Sequence, residues 1–259
     1  MKASMAKTLF IIKTYKKTFL RYPSNVFFKL VELPFQMFIY IFLWHYIFGG
    51  NLNNFSYMIC YYLMTGLLSL SYPFIHIAGN IEKDIFEGVI ANHLVRPFNY
   101  IQPILGKFLA WISLYSIIFV PSLLFVIVYY SSTATQIICF IIQCIVGLFV
   151  EFMTWYTIGL LALYTSKIRG ILRIVAAIRV ILSGSLIPLA YMPHSIHLIA
   201  DFLPFKYYIF SPVNTLLTTI SIQSFLIELV CGMLWIIFFI IASSVMWKNA
   251  VSRLEANIS

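Results

Sequence analysis

Residues 137–164 read "IICFIIQCIVGLFVEFMTWYTIGLLALY", 28 positions with a single charged side chain, Glu151. A hydrocarbon core about 30 Å thick is crossed by about 20 helical residues. The run is continuously apolar rather than alternating, so it reads as a helix and not as a barrel strand. Comparable runs lie near 31–48, 57–79, 108–130, 171–192 and 222–247, which makes six expected spans. The whole chain carries the same signature: 62% of residues are hydrophobic, 18% aromatic and 10% charged. Soluble domains hold about 45–50% apolar and about 25% charged residues. The sequence therefore predicts an all-α integral membrane protein of six transmembrane helices in one domain over 1–259.

Six spans put both termini on one side, and the cations say which. Sixteen of the 17 Lys and Arg residues fall on one face: the N-terminal arm, the loop after span two, the junction of spans four and five, and the tail. Only Lys206 falls on the other. Cations accumulate in cytoplasmic loops, so both termini are expected inside. The net charge of +9 is then a topology signal, and no nucleic acid is needed to explain it.

In residues 1–22 the apolar Leu9, Phe10, Ile12, Tyr15, Phe19 and Leu20 interleave with Lys7, Lys13, Lys16 and Lys17, and Pro23 marks a stop. The spacing predicts an amphipathic helix in the membrane interface, serving as an anchor among anionic lipid headgroups or as a contact for a partner. No cleavage signal follows it, so the helix is expected to remain on the mature protein.

Soluble chemistry finds little support. Cys60, Cys139, Cys144 and Cys231 lie inside apolar runs without a C-x-x-C pair and read as small packing residues. His194 and His197 stand three apart without a further ligand within a turn, so no metal site is expected. The only Gly-Lys step, Gly106-Lys107, is followed by Phe108, so the chain has no phosphate-binding loop for ATP. Neither a G-x-S-x-G elbow nor an H-E-x-x-H pair is present.

One stretch breaks the apolar pattern. Residues 80–107, "NIEKDIFEGVIANHLVRPFNYIQPILGK", hold three of the eight acidic residues. Ile81, Ile85, Phe86, Val89, Ile90 and Leu94 recur on one helical face, Glu82, Lys83, Asp84 and Glu87 on the other, and Arg96-Pro97 closes the helix. Twenty-eight residues exceed what a hairpin connection requires, so a cytoplasmic partner is expected to touch it.

The pattern "IEKDI..G.I...L.RP" in this stretch resembles the inner loop of type-2 ATP-binding-cassette (ABC) exporter permeases, in particular the branch of about 260 residues with six transmembrane helices. A second likeness lies in "SGSLIPLAYMPHSIHLIADFLPFKYYIFSPVNTLL", residues 183–217, and the resemblance covers essentially all six spans. It implies a transport subunit without an ATP site of its own, paired with a second permease, identical or homologous. ATP and Mg would be held by a separate dimeric ABC ATPase. That ATPase would dock on residues 80–107, with Glu82, Asp84, Glu87 and Arg96 as polar contacts and Ile85, Phe86, Val89, Ile90 and Leu94 as the apolar face. Its closure would move the membrane helices, exporting a drug, peptide or lipid from the inner membrane of a bacterium. Residues 193–221 match the family's pair of short helices that dip into the outer leaflet, an extracellular gate with Phe205, Tyr207 and Tyr208 at its centre. The residues alone leave an aromatic belt as the slightly preferred reading of each tyrosine singly.

Two charges lie inside spans. A carboxylate at mid-membrane calls for a partner, a watered cavity or protonation. Counting 1.5 Å per residue from the junction at 166–167 puts Glu151 and Arg179 at heights about 5 Å apart. They are expected either to pair, fixing spans four and five or lining the cargo path, or to sit separately with Arg179 snorkelling and Glu151 neutral. Glu32 and Glu228 stand at span ends, while Pro34, Pro73, Pro121 and Pro188 are expected to kink or end helices. Two other classes stay open: a non-transporting membrane anchor or sensor, and an intramembrane lipid-modifying enzyme.

Overall fold

The computed structural model describes residues 2–21, 23–48, 52–72, 74–90, 100–130, 132–165 and 167–256. Among them there is no strand. The helices are α1 (Lys2–Leu20), α2 (Pro23–Phe48), α3 (Leu52–Ser71), α4 (Phe74–Phe86), α5 (Ile101–Tyr130), α6 (Ala134–Leu160), α7 (Arg169–Leu182), α8 (His194–Phe202), α9 (Phe210–Leu217) and α10 (Ile222–Ala256). A 3-10 turn, Pro204–Tyr208, joins α8 to α9.

Five stretches among the described residues are long and apolar enough to cross a membrane: Phe27–Phe48, Phe55–Phe86, Ile101–Tyr130, Ala134–Leu163 and Ile222–Ala250. Only the fifth expected span, 171–192, lacks a counterpart among them. Its helix, α7, is 14 residues long and stops at Leu182. The chain then turns at Ser183 and Gly184, where Tyr61 Oη donates to the Gly184 carbonyl at 2.8 Å. Tyr62 Oη donates to the Leu186 carbonyl at 2.9 Å, and Pro188 forbids helical continuation. These bonds satisfy carbonyls that a longer helix would have used internally.

The second span is longer than expected. α4 runs from Phe74 to Phe86, so residues 81–86 belong to a helix that begins within the expected second span instead of starting a separate one at Ile81. α4 ends at Phe86, and Gly88 takes a φ of 69° in the left-handed region, where a side chain would be strained. The expected helix over 81–94 is thus interrupted by a turn at Glu87 and Gly88. Leu94, Arg96 and Pro97 lie outside the described residues, as does Pro73.

α6 is the hub of the bundle. It packs against α4, α9, α10 and the Pro204–Tyr208 turn, and its residues from Val150 to Tyr156 are buried on every side. A helix apolar all round needs neighbours all round. Its start is fixed by a capping box: Thr133 Oγ1 accepts from the Gln136 amide, and Gln136 Oε1 accepts from the Thr133 amide. Gln136 Nε2 also donates to the Thr218 carbonyl at 3.1 Å, tying that cap to the end of α9. Two apolar clusters flank α6. One is built on Tyr61, Met64, Tyr208 and Phe210. The other is built on Ile81, Phe108, Trp155 and Leu160. Between membrane helices it is close packing and buried hydrogen bonds that hold, since lipid tails are as apolar as leucine.

The N-terminal helix is docked as well. Thr8 meets Gln102, the Ile11 side chain covers Gly106, Lys107 lies over the Tyr15 ring and Phe19 meets Trp111 edge-on. Both numbers rise together, so α1 runs along the first half of α5 in the same direction.

Candidate coupling and translocation site

At the end of the bundle that carries Lys83, Lys167 and Arg169, the last turn of α4 meets the first turn of α7. Glu82 is buried there, and its Oε1 accepts from the Ile168 amide at 3.2 Å. Its other oxygen lies 3.7 Å from Nε of Arg169, which is largely exposed. A carboxylate at a helix start satisfies an orphan donor and opposes the positive end of the helix dipole. The three carboxylates expected at a docking rim all have partners within the chain, Glu87 only in an exposed pair with Lys83 at 3.6 Å. Glu82 caps α7, and Asp84 accepts from Tyr100 Oη at 3.0 Å with Lys107 at 4.0 Å.

The remaining expected contacts divide. Phe86 and Glu87 are exposed, Ile85 and Val89 half-buried, and Ile90 buried. An open groove of about 530 Å³ runs between the two elements, lined by Glu82, Lys83, Phe86 and Glu87 from one side and Lys167 and Arg169 from the other.

Deeper in the bundle, Arg179 Nε donates to Glu151 Oε1 at 2.9 Å, and both side chains are buried. Trp155 Nε1 donates to the same carboxylate oxygen at 3.1 Å. The Tyr208 ring lies 5.7 Å from the Arg179 guanidinium carbon. α6, α7 and the Pro204–Tyr208 turn thus meet at one pair of charges. Beside Arg179 a recess of about 260 Å³ opens between α2, α3 and α7, with Gln36, Tyr40, Tyr62, Thr65 and Ser185 among its walls.

The rings of the Pro204–Tyr208 turn do not form an aromatic belt. Phe205, Tyr207 and Tyr208 are all buried, and Tyr208 Oη donates to Thr154 Oγ1 of α6 at 2.8 Å. A belt would leave the rings at the surface, where one end is wet. The chain enters this far because residue 147 is glycine: a Cβ there would collide with the Tyr207 carbonyl oxygen.

Lys206 is buried with the turn. Its Nζ lies 2.6 Å from Asp201 Oδ1 and 3.6 Å from Glu228 Oε1. Gln143 Nε2 donates to the other Glu228 oxygen at 3.1 Å. This chain of polar groups joins α8, the 3-10 turn, α10 and α6. His197 is 3.1 Å from Asp201 and so belongs to the same cluster. At Asp201 partial burial pushes the carboxyl up, but Lys206, through its hydrogen bond and charge, and His197 outweigh it and hold the group below its ordinary value.

Sequence reasoning treated Glu228 as a span-end charge and missed its partner. The signal available was the single cation Lys206 among the outer residues, which needed an anion once buried. Gly147 gave no signal, since a glycine within an apolar run is ambiguous without its neighbour.

A family model described as an ABC-2 family transporter protein matches residues 28–257. No curated protein matches the chain. The match covers most of the sequence, and the chain belongs to the ABC-2 transporter family.

Proposed function

We propose, from the premise that the chain is an ABC-2 family membrane component, that it is the permease of an exporter driven by a separate ATPase docking in the groove between α4 and α7. The observation that carries this reading is the Glu82 carboxylate bonded to the start of α7. A subunit pressing on Phe86 and Glu87 pushes the end of α4, and the Glu82 link passes that push to α7. Ten residues further along, α7 holds Arg179 against Glu151, so a rigid displacement at the groove reaches mid-membrane. ATP and Mg reside on the ATPase.

The recess beside Arg179 is the cargo half-path, and a second permease, identical or homologous, closes its open side. Its mixture of tyrosine rings, amide, hydroxyls and guanidinium suits an amphipathic cargo better than a purely apolar one. The Pro204–Tyr208 turn stands at the exit and gates it. The cation distribution orients both termini toward the cytoplasm.

The test is to tag the chain in its native host, solubilise it gently and identify what co-purifies with the wild type and with a Phe86→Asp, Glu87→Lys variant. Both positions are exposed, so folding is unaffected. An ATPase subunit recovered with the wild type and lost with the variant is the expected result; equal recovery, or none with either, overturns the reading.

A further inference from the structure

Another cavity, of about 510 Å³, lies between α1, α2, α4 and α5; it adjoins the recess beside Arg179, with Lys29 and Glu32 in the walls of both, and is separate from the groove at Glu82. Its volume is in the usual range for small-molecule sites, about 300–1,000 Å³. One wall is aromatic: Phe19 from α1, Phe28 from α2, and Phe108, Trp111 and Tyr115 from α5. The polar groups gather separately, with the ammonium groups of Lys29 and Lys107, the Glu32 carboxylate, and the His76 and Asn80 side chains.

The two lysines do not come from one charged run. Lys29 sits on α2, where Glu32 Oε2 holds it at 2.8 Å. Lys107 sits on α5, over the Tyr15 ring and 4.0 Å from Asp84, and is mostly buried. Of the two ammonium groups Lys29 is closely paired with Glu32, whereas Asp84, outside the lining, is 4.0 Å from Lys107 and already accepts the Tyr100 hydroxyl, so Lys107 is the more loosely held cation and the one open to a phosphodiester. The cavity also lies at the end of the bundle where cations concentrate, facing the leaflet that carries anionic lipid.

We propose that this cavity binds one anionic phospholipid of the inner leaflet, its phosphate between Lys29 and Lys107 and its chains against the Phe28, Trp111 and Tyr115 wall. The lipid completes the seat of α1, whose Phe19 forms part of that wall beside Trp111. A soluble phosphate would use the lysines but leave the aromatic wall unexplained. The inference does not rest on the exporter reading: it uses no ATPase contact, and although Lys29 and Glu32 border both cavities, Lys107, Trp111 and Tyr115 line this one and not the Arg179 recess.

The probes are phosphatidylglycerol and phosphatidylcholine of identical chains, supplied as an equimolar mixture to the purified full chain and read as retained adducts by native mass spectrometry. The wild type is expected to retain phosphatidylglycerol about tenfold over phosphatidylcholine, a difference of about 1.4 kcal/mol. A Lys29→Gln, Lys107→Gln variant is expected to lose that preference, whereas Lys13→Gln, Lys17→Gln, which removes the same charge from the exposed face of α1, keeps it. No preference in the wild type, or equal loss in both variants, overturns the site in favour of diffuse attraction. Displacement of the adduct by excess inorganic phosphate reassigns the pocket to a soluble phosphate and also overturns it. Should the lysine variant fail to fold, quenching by brominated lipids, read as wild type minus Trp111→Phe, decides: stronger quenching by the phosphatidylglycerol supports the site and equal quenching by both lipids overturns it.

Discussion

Arg179 Nε donates to Glu151 Oε1 at 2.9 Å with both side chains withdrawn from solvent, and this contact joins α7 to the central helix α6. Breaking a buried ion pair strands a charge and costs about 3–5 kcal/mol, while removing both partners is far cheaper. Glu151→Met and Arg179→Met are each expected to lower the unfolding temperature of the purified protein sharply, and the double variant to recover most of the loss. The exchanged pair, Glu151→Arg with Arg179→Glu, is expected to be more stable than either of its single changes. Thermal unfolding of the six variants in one detergent checks both statements.

The approach of the Pro204–Tyr208 turn to α6 rests on Gly147. A Cβ at that position meets backbone at Tyr207 rather than the end of a flexible side chain, so relief requires moving the turn. Gly147→Ala is expected to destabilise by about 1–3 kcal/mol, as overpacking does. Tyr208→Phe, which removes only the hydroxyl bonded to Thr154, is expected to cost about 1 kcal/mol. Limited proteolysis within 203–209 should quicken for the alanine variant and remain near wild type for the phenylalanine one.

Acid acts on the same segment through Asp201. Its carboxyl is held below the ordinary value despite partial burial, because Lys206 and His197 favour the charged form. A depressed folded-state value means the carboxylate contributes stability above its unfolded value, about 3.9, and loses it as pH falls toward the folded value. Unfolding temperature is therefore expected to hold down to about pH 4 and to fall below it. Asp201→Asn should be less stable at neutral pH and should flatten that decline; an unchanged profile would remove Asp201 from the account.

What the sequence made legible was the part governed by additive quantities. Hydropathy summed over 20 residues locates spans whatever their neighbours are, and the five long helices follow from it. Rise per residue works equally well without neighbours, which is why Glu151 and Arg179 come out at similar heights. Hydropathy failed where a contact between distant residues overrides the pattern. The apolar run from 171 to 192 carries no sign that Tyr61 and Tyr62 capture its carbonyls after Leu182. Tyr207 and Tyr208 have belt chemistry, and only the space left by Gly147 buries them. Glu82 and Phe86 look alike as members of an amphipathic stretch, yet one caps α7 and the other faces outward.

The ATPase proposed to sit in the groove between α4 and α7 would lie against Phe86, and photo-crosslinking from position 86 reads that contact. A photoreactive phenylalanine replacing exposed Phe86 in native membranes is predicted to form an adduct with the ATPase subunit. The same residue at Phe202, still more exposed but on α8, is predicted to form none. An adduct from both positions, or from neither, would contradict the account.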